Sequence, residues 1–239
     1  MQTVPPRQPH AKPLRSDGQD ARNRLLDAAL ALFAEKGFAK TSTREIATAA
    51  QANIASISYY FGDKDGLYRA VFVDPRFNPQ IPSETSGNLP TDIRATINQL
   101  LRSFLEPLKA GEQARQCMKL HFREMVEPTG MWQAEIDRNI KPAHEGLVQS
   151  LCRHLDLKKA DDDIHRLAFE ITGLGIMLHV GNDVIQAIRP ALIGTSSALD
   201  TYHERLVEGA MALVEAESRR RKALMPAPRT SHSNSKAKP

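Results

Sequence analysis

From Asp20 the apolar residues Leu25, Leu26, Ala29, Leu32 and Phe33 recur every three or four positions, the period of one helix face, and Gly37 then closes the segment. Thr41-Ser42-Thr43 offers hydroxyl oxygens as N-caps for a short helix through Ala49. A second short helix, roughly Ile54 to Phe61, follows after a few residues, and Gly62-Asp63-Lys64-Asp65 makes a turn with an Asp N-cap for a helix from about Gly66 to Val73. Pro75, Pro79, Pro82 and Pro90, with Asn, Ser and Gly between them, break the pattern over 74–90, which reads as an irregular loop. Longer helical patterns lie near 91–109, 113–127, 133–155, 161–188 and 198–222, with Pro107, Pro128, Pro142 and Pro190 near ends or kinks, where a missing N–H is tolerated. No run alternates apolar and polar residues long enough for a strand, and no internal repeat is visible. The pattern predicts an all-α protein: an N-terminal helix-turn-helix domain of three helices, then a C-terminal antiparallel helical bundle.

The segment from Thr43 to Phe61 carries the chemistry. Two short helices joined by a turn of three or four residues can cross closely only if the crossing residue is small, and Ala47 meets that need. Ile46, Ala50, Ile57 and Phe61 form the inner face, with Leu25, Leu32 and Phe33 of the preceding helix to cover it. Asn53, Ala55, Ser56, Ser58 and Tyr59 then face outward. Small polar residues let a helix sink into a major groove, where Asn and Ser meet base edges. The helix start at Thr41, Ser42, Thr43 and Arg44, and the turn at Lys64, are placed to meet phosphates through N–H groups, hydroxyls and cations.

The run Gly37-Phe38, Thr41-Ser42-Thr43-Arg44-Glu45-Ile46-Ala47, then Tyr59-Tyr60-Phe61-Gly62-Asp63-Lys64-Asp65-Gly66-Leu67, resembles the DNA-binding domain of the TetR family of bacterial transcriptional regulators over residues 20–72. The resemblance implies phosphate contacts from Thr43, Tyr59 and Lys64, and groove-facing roles for Asn53, Ala55, Ser56 and Ser58. Tyr60 completes the candidate DNA-binding set. Asn53-Ile54-Ala55, Ser58-Tyr59-Tyr60-Phe61 and the later Phe122-Arg123-Glu124-Met125-Val126-Glu127-Pro128-Thr129 are similar to the CecR-like branch of that family. Two departures stand out. Gln51 occupies a turn position where the family usually has Gly, so either a side chain there adopts positive φ at a cost of about 1 kcal/mol or a little more, or the turn differs from the family's. The Pro-rich 74–90 stretch interrupts the helix that normally links the family's two domains.

Charge changes the picture by its placement. The total is +4 over 239 residues, yet residues 73–218 carry −6, residues 1–19 carry +2 through Arg7, Lys12 and Arg15, and residues 219–239 carry +7. The basic character belongs to the ends, a weak nucleic-acid signal by itself. The expected organisation is a basic disordered arm at 1–19, the helix-turn-helix domain at 20–72, a Pro-rich linker at 73–90, a ligand-binding and dimerisation domain at 91–222 and a disordered basic tail at 223–239. With 41% hydrophobic and 25% charged residues the chain is an ordinary globular one. No apolar run reaches the roughly 18 residues of a membrane span, so no membrane partner is expected. The scarcity of cysteine and the absence of a signal-peptide pattern fit a cytoplasmic location.

In the C-terminal region, Phe104, His121, Met125, Trp132, Phe169, Met177 and His179 mix aromatic, thioether and imidazole groups suited to a mostly apolar small-molecule effector. Each of them, taken singly, is better explained as core. Gly173 and Gly175, with Leu206, Ala210, Leu213 and Val214 at helical spacing, are candidates for a homodimer interface or for the completion of the monomer core. A reader helix needs a two-fold partner to recognise a pseudo-palindromic duplex operator. Cys117 and His121 share a helix face, and Asp161, Asp162, Asp163 and His165 form a polar knot, but neither makes a full metal shell and no metal or cofactor is expected. An acidic run opening a helix is accounted for by the helix dipole. Phosphate-loop, nucleophile-elbow, HExxH and paired-Cys motifs are missing, so no enzyme is expected. The sequence therefore predicts a ligand-responsive dimeric repressor released from its operator by the effector. The alternatives are a non-specific nucleoid-type binder, and a small-molecule carrier or enzyme with a vestigial reader domain.

Overall fold

The computed structural model describes residues 16–77 and 92–224, and every regular element among them is helical. The chain forms α1 (Ser16–Lys40), α2 (Thr43–Ala49), α3 (Ala55–Phe61), α4 (Lys64–Val73), α5 (Ile93–Lys109), α6 (Glu112–Val126), α7 (Trp132–Glu135), α8 (Lys141–His154), α9 (Asp162–Val180), α10 (Asn182–Ile188) and α11 (Ser196–Leu224). Arg7, Lys12, Arg15, Pro79, Pro82, Pro90 and the 225–239 tail lie outside the described residues.

Packing divides the described residues into two compact units, one holding residues 16–77 and 106–138, the other 92–105 and 139–224. Residues 106–138, assigned by sequence to the C-terminal domain, pack with the helix-turn-helix, because α6 turns Cys117, Leu120 and Glu124 inward there. The core of that first unit is built from Leu25, Leu26, Leu30 and Phe33 of α1, Ile46 and Ala47 of α2, Ile57 of α3, and Leu67, Tyr68, Val71 and Phe72 of α4, closed by Cys117 and Leu120. The second unit packs Ile93, Ile97 and Leu101 of α5 with Leu147 and Leu151 of α8, Ile164, Leu167 and Ile171 of α9, and Val207, Ala210 and Val214 of α11. Its core admits one buried hydroxyl pair, Thr96 Oγ1 and Ser150 Oγ, 3.2 Å apart.

Three helix boundaries differ from the periodicity, each for a local reason. Helix α1 begins at Ser16, so residues 16–19 are helical and not part of a disordered arm; Gln19 Nε2 donates to Asn23 Oδ1 one turn on, at 3.3 Å. The pattern at 133–155 is broken by a π turn, Ile136–Ile140. Pro142 at the start of α8 lacks an N–H and crowds the carbonyl four residues back, which a wider turn relieves. The pattern at 161–188 bends by 65° between α9 and α10. The bend falls at Gly181, where a β-carbon would collide with the Met177 side chain. Among the described residues no single helix is long and apolar enough to cross a membrane.

Candidate nucleic-acid interface

The reader begins where α1 ends. Gly37 takes φ 80°, a left-handed backbone that breaks the helix, and Thr41 Oγ1 donates to the Gly37 carbonyl at 2.8 Å and to the Leu32 carbonyl at 3.2 Å. Thr41 is thus 1% exposed and acts as a cap on α1, a correction to its place in the DNA-contact set. Ser42 is the N-cap of α2: its hydroxyl accepts from Glu45 N, and Glu45 Oε2 accepts from Ser42 N at 2.9 Å, a complete capping box. The Ser42 backbone N–H, the Lys36 ammonium and the Ser42 hydroxyl together hold the Glu45 carboxyl down at about 2. The capping hydroxyl is occupied, whereas Thr43 is half-buried and Arg44 exposed at the start of the helix.

Between α2 and α3 the chain turns at Gln51, which does take positive φ, 49°. Ala52 N donates to the Ala47 carbonyl at 2.9 Å, and Arg24 Nε of α1 donates to the Ala50 carbonyl at 3.2 Å, so the turn is held from both sides. Asn53 Oδ1 accepts from Ala55 N at 2.9 Å in the turn that leads into α3, which leaves its Nδ2 donors as the groups able to meet a base. On α3 itself Ala55, Ser58 and Tyr59 are exposed along one stripe at three- and four-residue spacing, Ser56 is half-buried at its edge, and Ile57 is buried opposite. Tyr59 is 76% exposed, with its ring edge-on to half-buried Tyr60 at 4.9 Å. Asp63 Oδ1 caps α4 by accepting from Gly66 N at 2.7 Å. Lys64 follows it, with its ammonium 4.3 Å above the Phe38 ring. The sequence reading missed Arg22, whose guanidinium lies 5.3 Å over the Phe61 ring at the end of α3; only the tertiary fold brings α1 there.

The other candidate sets fare differently. Of the effector residues, His121, Met125 and Trp132 belong to the first unit and Phe104, Phe169, Met177 and His179 to the second. His121 is stacked on Phe72 at 4.2 Å with Nδ1 2.9 Å from the Cys117 carbonyl, an intrahelical and core role. Phe169 and Met177 are exposed, Phe169 stacking on His144 at 4.3 Å. Phe104 and His179 do meet, through a 2.7 Å contact of His179 Nε2 with the Phe104 carbonyl. Two clefts open in the first unit, one lined by Arg24, Leu32 and Gln51, the other by Lys36, Lys40, Tyr68 and Thr129, and none of the seven residues lines either.

Of the candidate dimer residues, Gly175, Ala210 and Val214 are buried inside the second unit, and a β-carbon at Gly175 would run into the Phe104 ring. They finish the protomer core, a correction to the interface reading. Gly173 is exposed with open space before it, while Leu206 and Leu213 are half-buried.

The metal candidates have other partners. Burial, then the charge of Glu135, pushes the Cys117 thiol up to about 12, and its sulfur lies 3.6 Å from His121 Nδ1. Asp161 caps α9 through Ile164 N and takes two hydrogen bonds from Arg221, at 2.7 and 2.9 Å. Asp163 binds Arg166 and Arg220. The same contacts place Arg220 and Arg221, counted by sequence in a basic tail, in ion pairs on the second unit.

A cap-and-stripe helix-turn-helix covered by a preceding helix defines a DNA-reading class of fold. The family model for bacterial regulatory proteins of the tetR family matches residues 25–71, and that for the C-terminal domain of the HTH-type transcriptional dual regulator CecR matches residues 93–215. The chain belongs to the TetR family, with a CecR-type C-terminal domain. It is 34% identical to the HTH-type transcriptional dual regulator CecR of Shigella flexneri over 143 residues, 55% of this chain and 63% of that protein. It is also 34% identical to the probable HTH-type transcriptional regulator YttP of Bacillus subtilis (strain 168) over 106 residues, 44% of this chain and 50% of that one. The chain thus spans less than two thirds of the length of these relatives. A transcriptional regulator from Aquifex aeolicus VF5 shares the fold with a TM-score of 0.53 at 18% identity, covering 81% of this chain and 99% of that one. SmeT in complex with triclosan does so with a TM-score of 0.55 at 20% identity, covering 80% and 90%.

Proposed function

We propose that this chain is a DNA-binding transcriptional repressor that acts as a homodimer and is released from a pseudo-palindromic operator by a mostly apolar small molecule. The observation that carries the reading is the outward stripe Ala55, Ser58 and Tyr59 beside Asn53, on a helix whose opposite side is packed by Ile57. The stripe carries a methyl, a hydroxyl and a phenol beside the Asn53 amide and no charge, so it enters a major groove and reads bases, while Thr43, Arg44 and Lys64 at flanking helix starts meet phosphates. The absence of charge on the stripe favours selective reading over a nucleoid-type role, in which affinity comes from cations alone.

Dimerisation is supported by the second unit's surface. Phe169, Met177, Val180, Val184 and Ile188 are exposed on α9 and α10, the last at 77%, beside the open Gly173. Exposed apolar side chains along these two helices are of the kind that a second copy covers. The effector reading narrows to Phe104 and His179, the two candidates of the second unit that touch each other. The solved SmeT complex holds triclosan, which is an apolar small molecule of the class proposed.

A footprint of the purified protein on the DNA upstream of its own gene, at physiological salt with competitor DNA, tests the reading. A symmetric protected patch of one to two helical turns is expected. Diffuse protection that competitor DNA erases points instead to non-specific binding. Ser58→Glu, which places a carboxylate on the groove-facing stripe, is expected to abolish the footprint without changing thermal stability.

A further inference from the structure

Two adjacent residues at the C-terminal end of α6 hold two different helices of the reader. Arg123 Nη2 donates to the Glu35 carbonyl of α1 at 2.9 Å, and the side chain lies across Gly37, where a β-carbon would stand 3.3 Å from Arg123 Cδ and Nη1. Glu124 is fully buried. Its carboxylate accepts from Tyr68 Oη of α4 at 2.7 Å, from Thr129 N at 2.8 Å, from Thr129 Oγ1 at 3.0 Å and from Met131 N at 3.0 Å.

Both contacts lead to the DNA-facing groups. On the α1 side, Gly37 and Thr41 pass directly into the Ser42 cap of α2. On the α4 side, the Tyr68 ring is edge-on to Phe38 at 5.1 Å, and Phe38 carries the Lys64 ammonium on its face. An apolar contact tolerates sliding, because dispersion has little direction. A buried carboxylate with donors converging on both oxygens satisfies them in one geometry only.

We propose that Arg123 and Glu124 are positioning residues for DNA reading. They touch no DNA themselves. They fix the angle at which the α2 start, the α3 stripe and Lys64 meet the duplex, and so make α6 part of the reader. This rests on the DNA-reading function proposed above.

The test uses the full chain and a duplex that the wild-type protein recovers from a random-sequence pool. Tyr68→Phe removes one hydroxyl, Glu124→Gln turns one acceptor oxygen into a donor, and Arg123→Met removes the hold on α1 from a half-exposed site. Affinity for the recovered duplex is expected to fall about tenfold in each, the scale of coupling between sites, at temperatures well below melting. Affinity for random duplex is expected to change much less. Tyr68→Phe combined with Glu124→Gln is expected to bind no worse than Glu124→Gln alone, since both break one hydrogen bond. Variants that melt lower yet bind the recovered duplex as wild type does would make the clasp merely structural and overturn the proposal. If the wild-type protein recovers no duplex, DNA reading itself falls, and the positioning role with it.

Discussion

Two regions of this molecule hold their helices together with carboxylates, and they do so in opposite ways. In the first unit Glu124 is wholly buried and is met by neutral donors: a phenol, a hydroxyl and two backbone N–H groups. In the second unit Asp161 and Asp163 lie at the surface, Glu217 is more covered beside them, and the three are met by Arg166, Arg220 and Arg221. The buried group is removed from water, so each of its partners is left unsatisfied if it goes. The exposed groups regain water whenever a pair opens, and salt screens them. The contrast teaches that number of ion pairs is a poor guide to what holds an element: α11 has many and depends little on any one, while α6 has one carboxylate on which several donors converge.

Removal of the buried group is expected to have the largest effect. Glu124→Ala strands the Tyr68 hydroxyl and the Thr129 and Met131 N–H groups, and should cost about 3–5 kcal/mol in urea unfolding. A loss below about 1 kcal/mol would erase the contrast between the two regions. Next comes Gly37→Ala, which places a side chain at φ 80° and 3.3 Å from Arg123 and Glu127; a loss of about 1–2 kcal/mol is expected by the same measurement.

The pH dependence of the second unit is expected to be smaller. Burial, then the charge of His165, lowers His144 below its ordinary 6.5, and burial lowers His179 despite its bond to the Phe104 carbonyl. The folded state therefore binds fewer protons than the unfolded chain. Stability is complete above about pH 6.5 and falls as pH drops through it toward the lowered values. Thermal melts from about pH 7.5 to about pH 5.5 should show this fall, and His144→Gln combined with His179→Gln should flatten it. The arginine-paired carboxylates act in a lower window: Asp161, Asp163 and Glu217 are all held below their ordinary values, chiefly by arginine hydrogen bonds, so their contribution is lost only as pH falls below about 4. Smallest of all, Arg221→Ala should cost a few tenths of a kcal/mol to about 1 kcal/mol at low salt, and close to nothing at about 1 M salt. A cost that persists in high salt would show α11 to be held more like α6.

Much of the reader was legible because its signals are local. The Ser42–Glu45 capping box is spelled out by residue types three apart, the Asp63 cap precedes its helix, and the positive φ at Gln51 is one of the two outcomes the family resemblance implied, since Gly usually stands there. Residue type alone misassigned Thr41 and, on the second unit, left Gly175, Ala210 and Val214 open between interface and core. A threonine beside a helix start offers the same hydroxyl whether it faces a phosphate or caps the helix behind it, and here the left-handed Gly37 turns it inward. A glycine in a helix signals close approach without saying to what, and at Gly175 the answer is Phe104 of the same chain.

The sequence by itself determined the helices, their caps, the helix-turn-helix and the outward stripe of α3, since periodicity and capping depend on neighbours within a turn or two. Only the tertiary structure decided which unit α6 joins, what Glu124 binds and where the terminal arginines go. Those outcomes rest on pairs such as Tyr68 with Glu124, 56 residues apart, and Arg221 with Asp161, 60 apart. A buried carboxylate is stable only where distant donors converge on it, and no local pattern of residues records that convergence.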